Sequence, residues 1–296
     1  MLLRYTGIVK RELDEPVMHV VFHVMYPCFL LDKILGSPSL QNGSVVAWSF
    51  GFGFFEIFIG LAIGLIMGRM MQLERGSGLR TFCFSVSIQN FGYTAIPVTQ
   101  ELFAAAVPVL IVHNLGVELS IWTVGIYLMT NRGQTSWKKL CNGPAIAVLL
   151  GLLCVALGWD QYVNGPAREA MHLLGSGAFP LALTMTGALM FEMMLIEKPS
   201  WRIAGGGTIL RLGIIPCALL FVVKWLPMPL VLKQVLLVQA SMPAAMSPLI
   251  IARMYGGRPG IAAQIIIVST AISLFTLPWI INLGARWLEI PLQPSR

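Results

Sequence analysis

Apolar runs of bilayer-crossing length alternate with short polar segments along the whole of this 296-residue chain. A helix needs about 20 mostly apolar residues to cross the hydrocarbon of a membrane. Nine runs meet or approach that length, over roughly residues 16–35, 44–70, 80–100, 106–130, 143–160, 169–193, 203–224, 230–254 and 260–286. The pattern predicts an all-α polytopic membrane protein, one integral unit over residues 1–296 with no linker or low-complexity tract dividing it.

Two of the runs are interrupted in their own interior. The third contains Gln89-Asn90-Phe91-Gly92-Tyr93-Thr94-Ala95-Ile96-Pro97, and the eighth contains Gln239-Ala240-Ser241-Met242-Pro243-Ala244-Ala245-Met246-Ser247-Pro248. Proline lacks an N–H and clashes with the carbonyl four residues back, so Pro97, Pro243 and Pro248 are expected to free the carbonyls of Tyr93, Gln239 and Ala244. Gly92 lets backbone or ligand approach closely, and Asn90 and Gln89 offer amides that both donate and accept. The half-helix expected to begin near Pro97 aims a partly positive N-terminus at the break. Lipid satisfies none of these groups, so such backbone must face protein or a watery cavity. A matching pair of interrupted spans in two halves of a membrane protein points to a transport site, with helix N-termini for an anion and freed carbonyls for a cation.

Composition agrees with the pattern. Hydrophobic residues make up 56% and charged residues 11% of the chain, and the mean hydropathy is +0.77. The formal charge of +7 suits a nucleic-acid partner only until its distribution is mapped. With residues 1–15 placed in the cytoplasm, thirteen Lys and Arg fall on the cytoplasmic side: Arg4, Lys10, Arg11, Arg69, Arg75, Arg80, Arg132, Lys138, Lys139, Lys198, Arg202, Arg253 and Arg258. Six fall opposite: Lys33, Arg168, Lys224, Lys233, Arg286 and Arg296. Cytoplasmic loops carry this excess in membrane proteins. The bias therefore fixes an orientation, puts the C-terminus outside, and accounts for the basic pI without nucleic acid. Residues 1–16 lack the apolar core of a cleavable signal peptide. The five cysteines are unclustered, four of them in apolar spans, and read as small core residues.

A few polar side chains lie within apolar spans. Glu56 stands one turn before the series Gly60, Gly64, Gly68, whose spacing grooves a helix for a close neighbour. Asn114 and Glu118 share a helix face four residues apart, with His113 beside them. An ionisable residue at such depth is a functional candidate by default, so Asn114 is a candidate to line a central cavity, and Glu118 and Glu56 are candidates to carry a coupling proton. Arg211 lies about two turns into its span; it either pairs with a membrane acid or snorkels to the surface, and snorkelling is the favoured reading. The nearest basic side chain to the breaks along the chain is then Arg253. His19 and His23 have metal-compatible spacing but no complementary ligand on that face, and no metal or cofactor is expected. No phosphate-cradling Gly-x-x-x-x-Gly-Lys run and no hydrolase or metalloprotease motif occurs. Three readings follow: a secondary transporter driven by a gradient of H+, Na+ or its own substrate, a membrane receptor or regulatory subunit without flux, and an intramembrane enzyme. The last lacks its chemistry.

Asn90-x-Gly92-Tyr93-x-Ala95-Ile96-Pro97, the Asn114 region ending in Trp122-Thr123-Val124-Gly125, Pro144-Ala145-Ile146-Ala147 with Gly151, Met242-Pro243-Ala244-Ala245 through Tyr255-Gly256, and Ser269-Thr270 with Leu277-Pro278 together resemble the auxin efflux carrier family. The resemblance runs from about Arg4 to residue 284 and rests on order and spacing more than on any one motif. It implies ten helices in two inverted five-helix repeats, a scaffold and a transport part, two crossing broken helices, elevator-type alternating access, and a homodimer formed through scaffold helices. It implies a small organic anion as substrate, such as auxin in plants or malate and malonate in some bacteria, carried across the plasma or inner membrane. By the resemblance, Pro97 and Pro243 are the crossover prolines, and Asn90, Gln239 and Ser241 line the site with Gly92 nearby. The repeats fall at 1–130 and 143–296, joined by a cytoplasmic loop at 131–142. The family's basic-x-Gly element follows its first helix, and the similar Arg4-Tyr5-Thr6-Gly7 stands at the start of this sequence. About nine of the ten helices are therefore expected here: either a first helix is encoded upstream of Met1, the favoured reading, or the protein lacks that scaffold helix.

Overall fold

The computed structural model describes residues 2–8, 10–73, 76–130, 143–196 and 200–292. The expected 131–142 loop and several of the tallied basic residues (Arg75, Arg132, Lys138, Lys139, Lys198 and Arg296) lie outside the described residues. Helices account for nearly all of the rest. They are α1 (Pro16–Ile34), α2 (Gly43–Met70), α3 (Ser77–Ser87), α4 (Ala95–Leu102), α5 (Ala104–Met129), α6 (Gly143–Ala156), α7 (Pro166–Ser176), α8 (Ala178–Ile196), α9 (Trp201–Trp225), α10 (Leu230–Ser241), α11 (Ser247–Met254) and α12 (Pro259–Leu288). Five of these, α1, α2, α5, α9 and α12, are each long and apolar enough to cross a membrane unaided. The remaining passes are shorter or interrupted, as the sequence leads one to expect: α3 with α4, α7 with α8 about Gly177, and α10 with α11.

The packing falls into two groups. Helix α1 packs along α6 and α7, with α8 against its N-terminal part. Around the two interrupted passes, α2 packs on α5 and α3, and α12 packs on α3, α9, α10 and α11. Small residues set the closest approaches. A Cβ on Gly53 would stand 2.1 Å from the His113 carbonyl oxygen, and one on Gly116 would stand 2.1 Å from that of Phe50, so α2 and α5 touch backbone to backbone. A Cβ on Gly60 would stand 2.6 Å from Ser87 Cα, which brings the glycine series of α2 against the end of α3. Glu56 shares that buried face of α2 with Gly53 and Gly60, as the three- and four-residue helix spacing requires. The face therefore aims a carboxylate at the place where α3 stops.

Both interrupted passes break in their interior, and each break completes the other. Residues Ile88 and Met242 leave helical geometry for extended backbone. The Asn90 amide donates to the Pro243 carbonyl at 2.7 Å, the Ala245 amide donates to the Ile88 carbonyl at 3.0 Å, and Gln89 and Ala244 form an antiparallel bridge. Backbone groups that lipid would leave bare are thus paired with one another. Met242 is extended because it precedes a proline. The first break has another cause. Helix α4 begins at Ala95, ahead of Pro97, which sits in its first turn where a missing N–H costs little. The half-helix expected near Pro97 begins at Ala95, two residues ahead of it, and the break comes from reciprocal pairing rather than from that proline. Pro248 likewise occupies the first turn of α11.

Candidate functional site

Side chains lock the crossing that the backbone pairs. Asn114 of α5 donates from Nδ2 to the Phe91 carbonyl at 2.9 Å in the first break. Its Oδ1 accepts from Gln239 Nε2 at 2.9 Å, in the last turn of α10 beside the second break. A single buried amide therefore holds both interrupted helices, using its donor on one and its acceptor on the other. Asn90 turns its side chain back to Thr94 Oγ1 at 3.0 Å. Ser241 is fully buried and donates to the Leu237 carbonyl within its own helix.

Beside the crossing lies a cavity of about 230 Å³ lined by Phe22 and Tyr26 of α1, Asn90 to Tyr93 of the first break, Glu118, Ile121 and Trp122 of α5, and Ala245 to Ser247 with Ile250 at the second break and α11. The start of α11 forms part of its wall, so the partly positive helix end faces the space. Among the described residues Ser247 Oγ has no hydrogen-bond partner. A second cavity, about 350 Å³, lies on the other side of the crossing between α1, α4, α7 and α8, with Asp32, Lys33, Gln100, Glu101 and His172 at its wall. Phe179 on that wall meets Tyr26 of the first cavity edge-on, ring centroids 5.8 Å apart.

A buried charged cluster sits behind the crossing. Glu56 Oε1 accepts a hydrogen bond from Gln89 Nε2, and Glu56 Oε2 lies 3.4 Å from His113 Nε2. Arg211 is 1% exposed and interacts electrostatically with Glu56. Of the two readings of Arg211, snorkelling is corrected and the membrane acid is the partner found. The guanidinium turns inward because a π-helical turn, Leu210–Ile214, carries it there. That turn lies just ahead of Pro216, which cannot donate to the carbonyl four residues before it.

The sequence-derived candidates are thus distributed over three places. Asn90, Gly92 and Glu118 line the cavity beside the crossing, and Pro97 lines the second one. Asn114, Gln239, Ser241 and the Pro243 carbonyl build the crossing itself, and Glu56 belongs to the cluster behind it. Sequence reasoning did not single out Tyr26, Tyr93, Trp122 or Ser247 as cavity wall, nor Arg211 as the cation at the breaks. For Arg211 a usable signal exists: an arginine deep in an apolar run, five residues before a proline, is a site for a helix bulge.

The fold and the crossing are those of a multi-pass membrane transporter. A family model described as "Membrane transport protein" matches residues 132–281, and the chain belongs to that family, the one in which the auxin efflux carriers fall. It is similar to the uncharacterized transporter MJ1031 of Methanocaldococcus jannaschii, with 22% identity over 281 residues, covering 92% of this chain and 90% of that protein.

Proposed function

We propose that this transporter carries a small organic anion across the plasma membrane by elevator-type alternating access, with the anion held at the crossing of the two broken passes. The observation that carries this reading is the cavity at the reciprocal backbone pairing, whose wall combines the start of α11 with Ser247, the polar Asn90, and the aromatic Phe22, Tyr26, Tyr93 and Trp122. Hydrogen-bond donors and a helix N-terminus suit a carboxylate. Aromatic walls suit an apolar body attached to it. Two cavities on opposite sides of the crossing, divided by the Tyr26–Phe179 contact, support a cycle in which the site is reached from each side in turn.

Glu118 supports a coupling role for a proton. Among the described residues no Lys or Arg lines the cavity, while Glu118 does. An anion entering beside a carboxylate is repelled unless the carboxyl is neutral, because like charges in a low-dielectric site interact strongly. A proton on Glu118 removes that repulsion and travels with the anion. Glu56, already hydrogen-bonded to Gln89, is the second candidate for that proton.

Uptake into proteoliposomes, measured across a panel of labelled mono- and dicarboxylates, tests the reading. Saturable accumulation of a monocarboxylate with an apolar body is the expected result. Specific binding with no flux for any member of the panel would turn the reading toward a receptor.

A further inference from the structure

Helices α3 and α10 both end at the crossing, so both direct the partly negative C-terminal ends of their dipoles at one point. The carbonyls in their last turns have no continuing helix to serve. Arg211, from α9, reaches that point. Its Nη1 lies 3.4 Å from the Val86 carbonyl and 3.5 Å from the Ser87 carbonyl at the end of α3, and its Nη2 lies 3.5 Å from the Ala240 carbonyl at the end of α10. Glu56 is the acidic side chain with which Arg211 interacts electrostatically. Among the described residues, Arg211 Nε and Glu56 Oε2 have no hydrogen-bond partner. The contacts are long and shared among three carbonyls, the arrangement of a charge held in a cage of dipoles and not of a guanidinium fixed by a bidentate partner.

Freed carbonyls and half-helix C-termini are where broken-helix transporters coordinate a mobile coupling cation. We propose that Arg211 is a tethered cation occupying such a site, and that the cage around it accepts a free monovalent cation once the side chain is removed. The inference rests on the transport reading for its meaning in the cycle. It narrows the coupling ion to H+, because the place Na+ would take is filled by a residue of the chain. Arg211 acts on the substrate only through the two half-helices it holds together, and so is a positioning residue.

The test uses the purified full chain in detergent and reads thermal melting, so it does not depend on any substrate being known. Wild type, R211A, R211Q and R211K are melted in choline chloride and then titrated with Na+, K+ and guanidinium. Wild type and R211K are expected to melt alike in all of these at matched ionic strength. R211A and R211Q are expected to melt lower in choline and to recover saturably with millimolar guanidinium. The expected gain is roughly 5 °C at about a hundred times the half-saturating concentration. A saturable Na+ response in wild type overturns the proposal, since a mobile cation then binds elsewhere. So does a lowered melting point in R211A and R211Q that no cation restores. If neither neutral variant can be purified folded in choline, purification in guanidinium decides: recovery supports the proposal and continued loss overturns it. A failure of the transport reading would show separately, as wild type that moves no carboxylate.

Discussion

Gln239 Nε2 donates to Asn114 Oδ1 at 2.9 Å, and Asn114 Nδ2 passes the connection on to the Phe91 carbonyl at 2.9 Å. Through these two bonds the last turn of one interrupted helix is tied to the break in the other. Removing either side chain leaves buried polar groups unpaired, at about 1–3 kcal/mol each. Asn114→Ala and Gln239→Ala are each expected to lower thermal stability by that order. Because the residues share one bond, the double variant should fall short of the sum by roughly 0.5 kcal/mol or more. A double-mutant melting cycle checks this, and strict additivity would show that the connection carries nothing.

The contact of α2 with α5 leaves no room for a side chain. Gly53→Val and Gly116→Val are expected to abolish folded protein or cost several kcal/mol, because backbone and not a flexible side chain stands 2.1 Å from each added Cβ. Gly51→Ala, at a position with nothing within 4 Å, is the neutral control. Expression and monodispersity on size exclusion separate the three.

Glu118→Gln keeps the shape of the cavity wall and removes its titration. The variant is expected to transport, or exchange substrate, at a rate independent of pH across the range in which the wild-type rate falls as protons become scarce. The sign follows from the repulsion argument: the neutral carboxyl is the form that admits an anion. Substrate-driven proton uptake, followed with a pH dye trapped in the vesicles, should be lost in the same variant. If proton uptake persists in Glu118→Gln and is lost in Glu56→Gln, the coupling group is Glu56.

Phe179 and Tyr26 stand between the two cavities. Phe179→Ala is expected to open a path from the far cavity toward the crossing. Leak of the carried anion down its gradient should rise several-fold, with stability reduced by about 3–5 kcal/mol for loss of a buried aromatic ring. Unchanged leak in a folded variant would place the division between the cavities elsewhere.

Much of this architecture was legible in the chain because a membrane imposes simple rules. Apolar length marked the passes, and polar residues beside prolines marked Gln89–Pro97 and Gln239–Pro248 as broken, stretches that contain the observed breaks. Local rules misjudged what depends on another helix. Pro97 drew attention to the right place for the wrong reason, since pairing with Pro243 and Ala244, over 140 residues away in sequence, holds that break. For Arg211 the chain left a membrane acid open but favoured snorkelling, which needs only its own helix, whereas its actual partners lie on α2, α3 and α10. The aromatic wall was hidden for the same reason: Phe22, Tyr26 and Trp122 are ordinary apolar-span residues until α1 and α5 bring them to one cavity.

The most direct measurement compares wild type, Asn90→Ala and Ser247→Ala for uptake of one carboxylate into proteoliposomes, with Gly51→Ala as control. Asn90 and Ser247 meet the cavity from opposite breaks. With the anion bound between them, each variant loses at least about tenfold in uptake at subsaturating substrate, the equivalent of one good hydrogen bond, while folding normally and leaving the control at the wild-type rate. Uptake unchanged in both variants would contradict binding at the crossing.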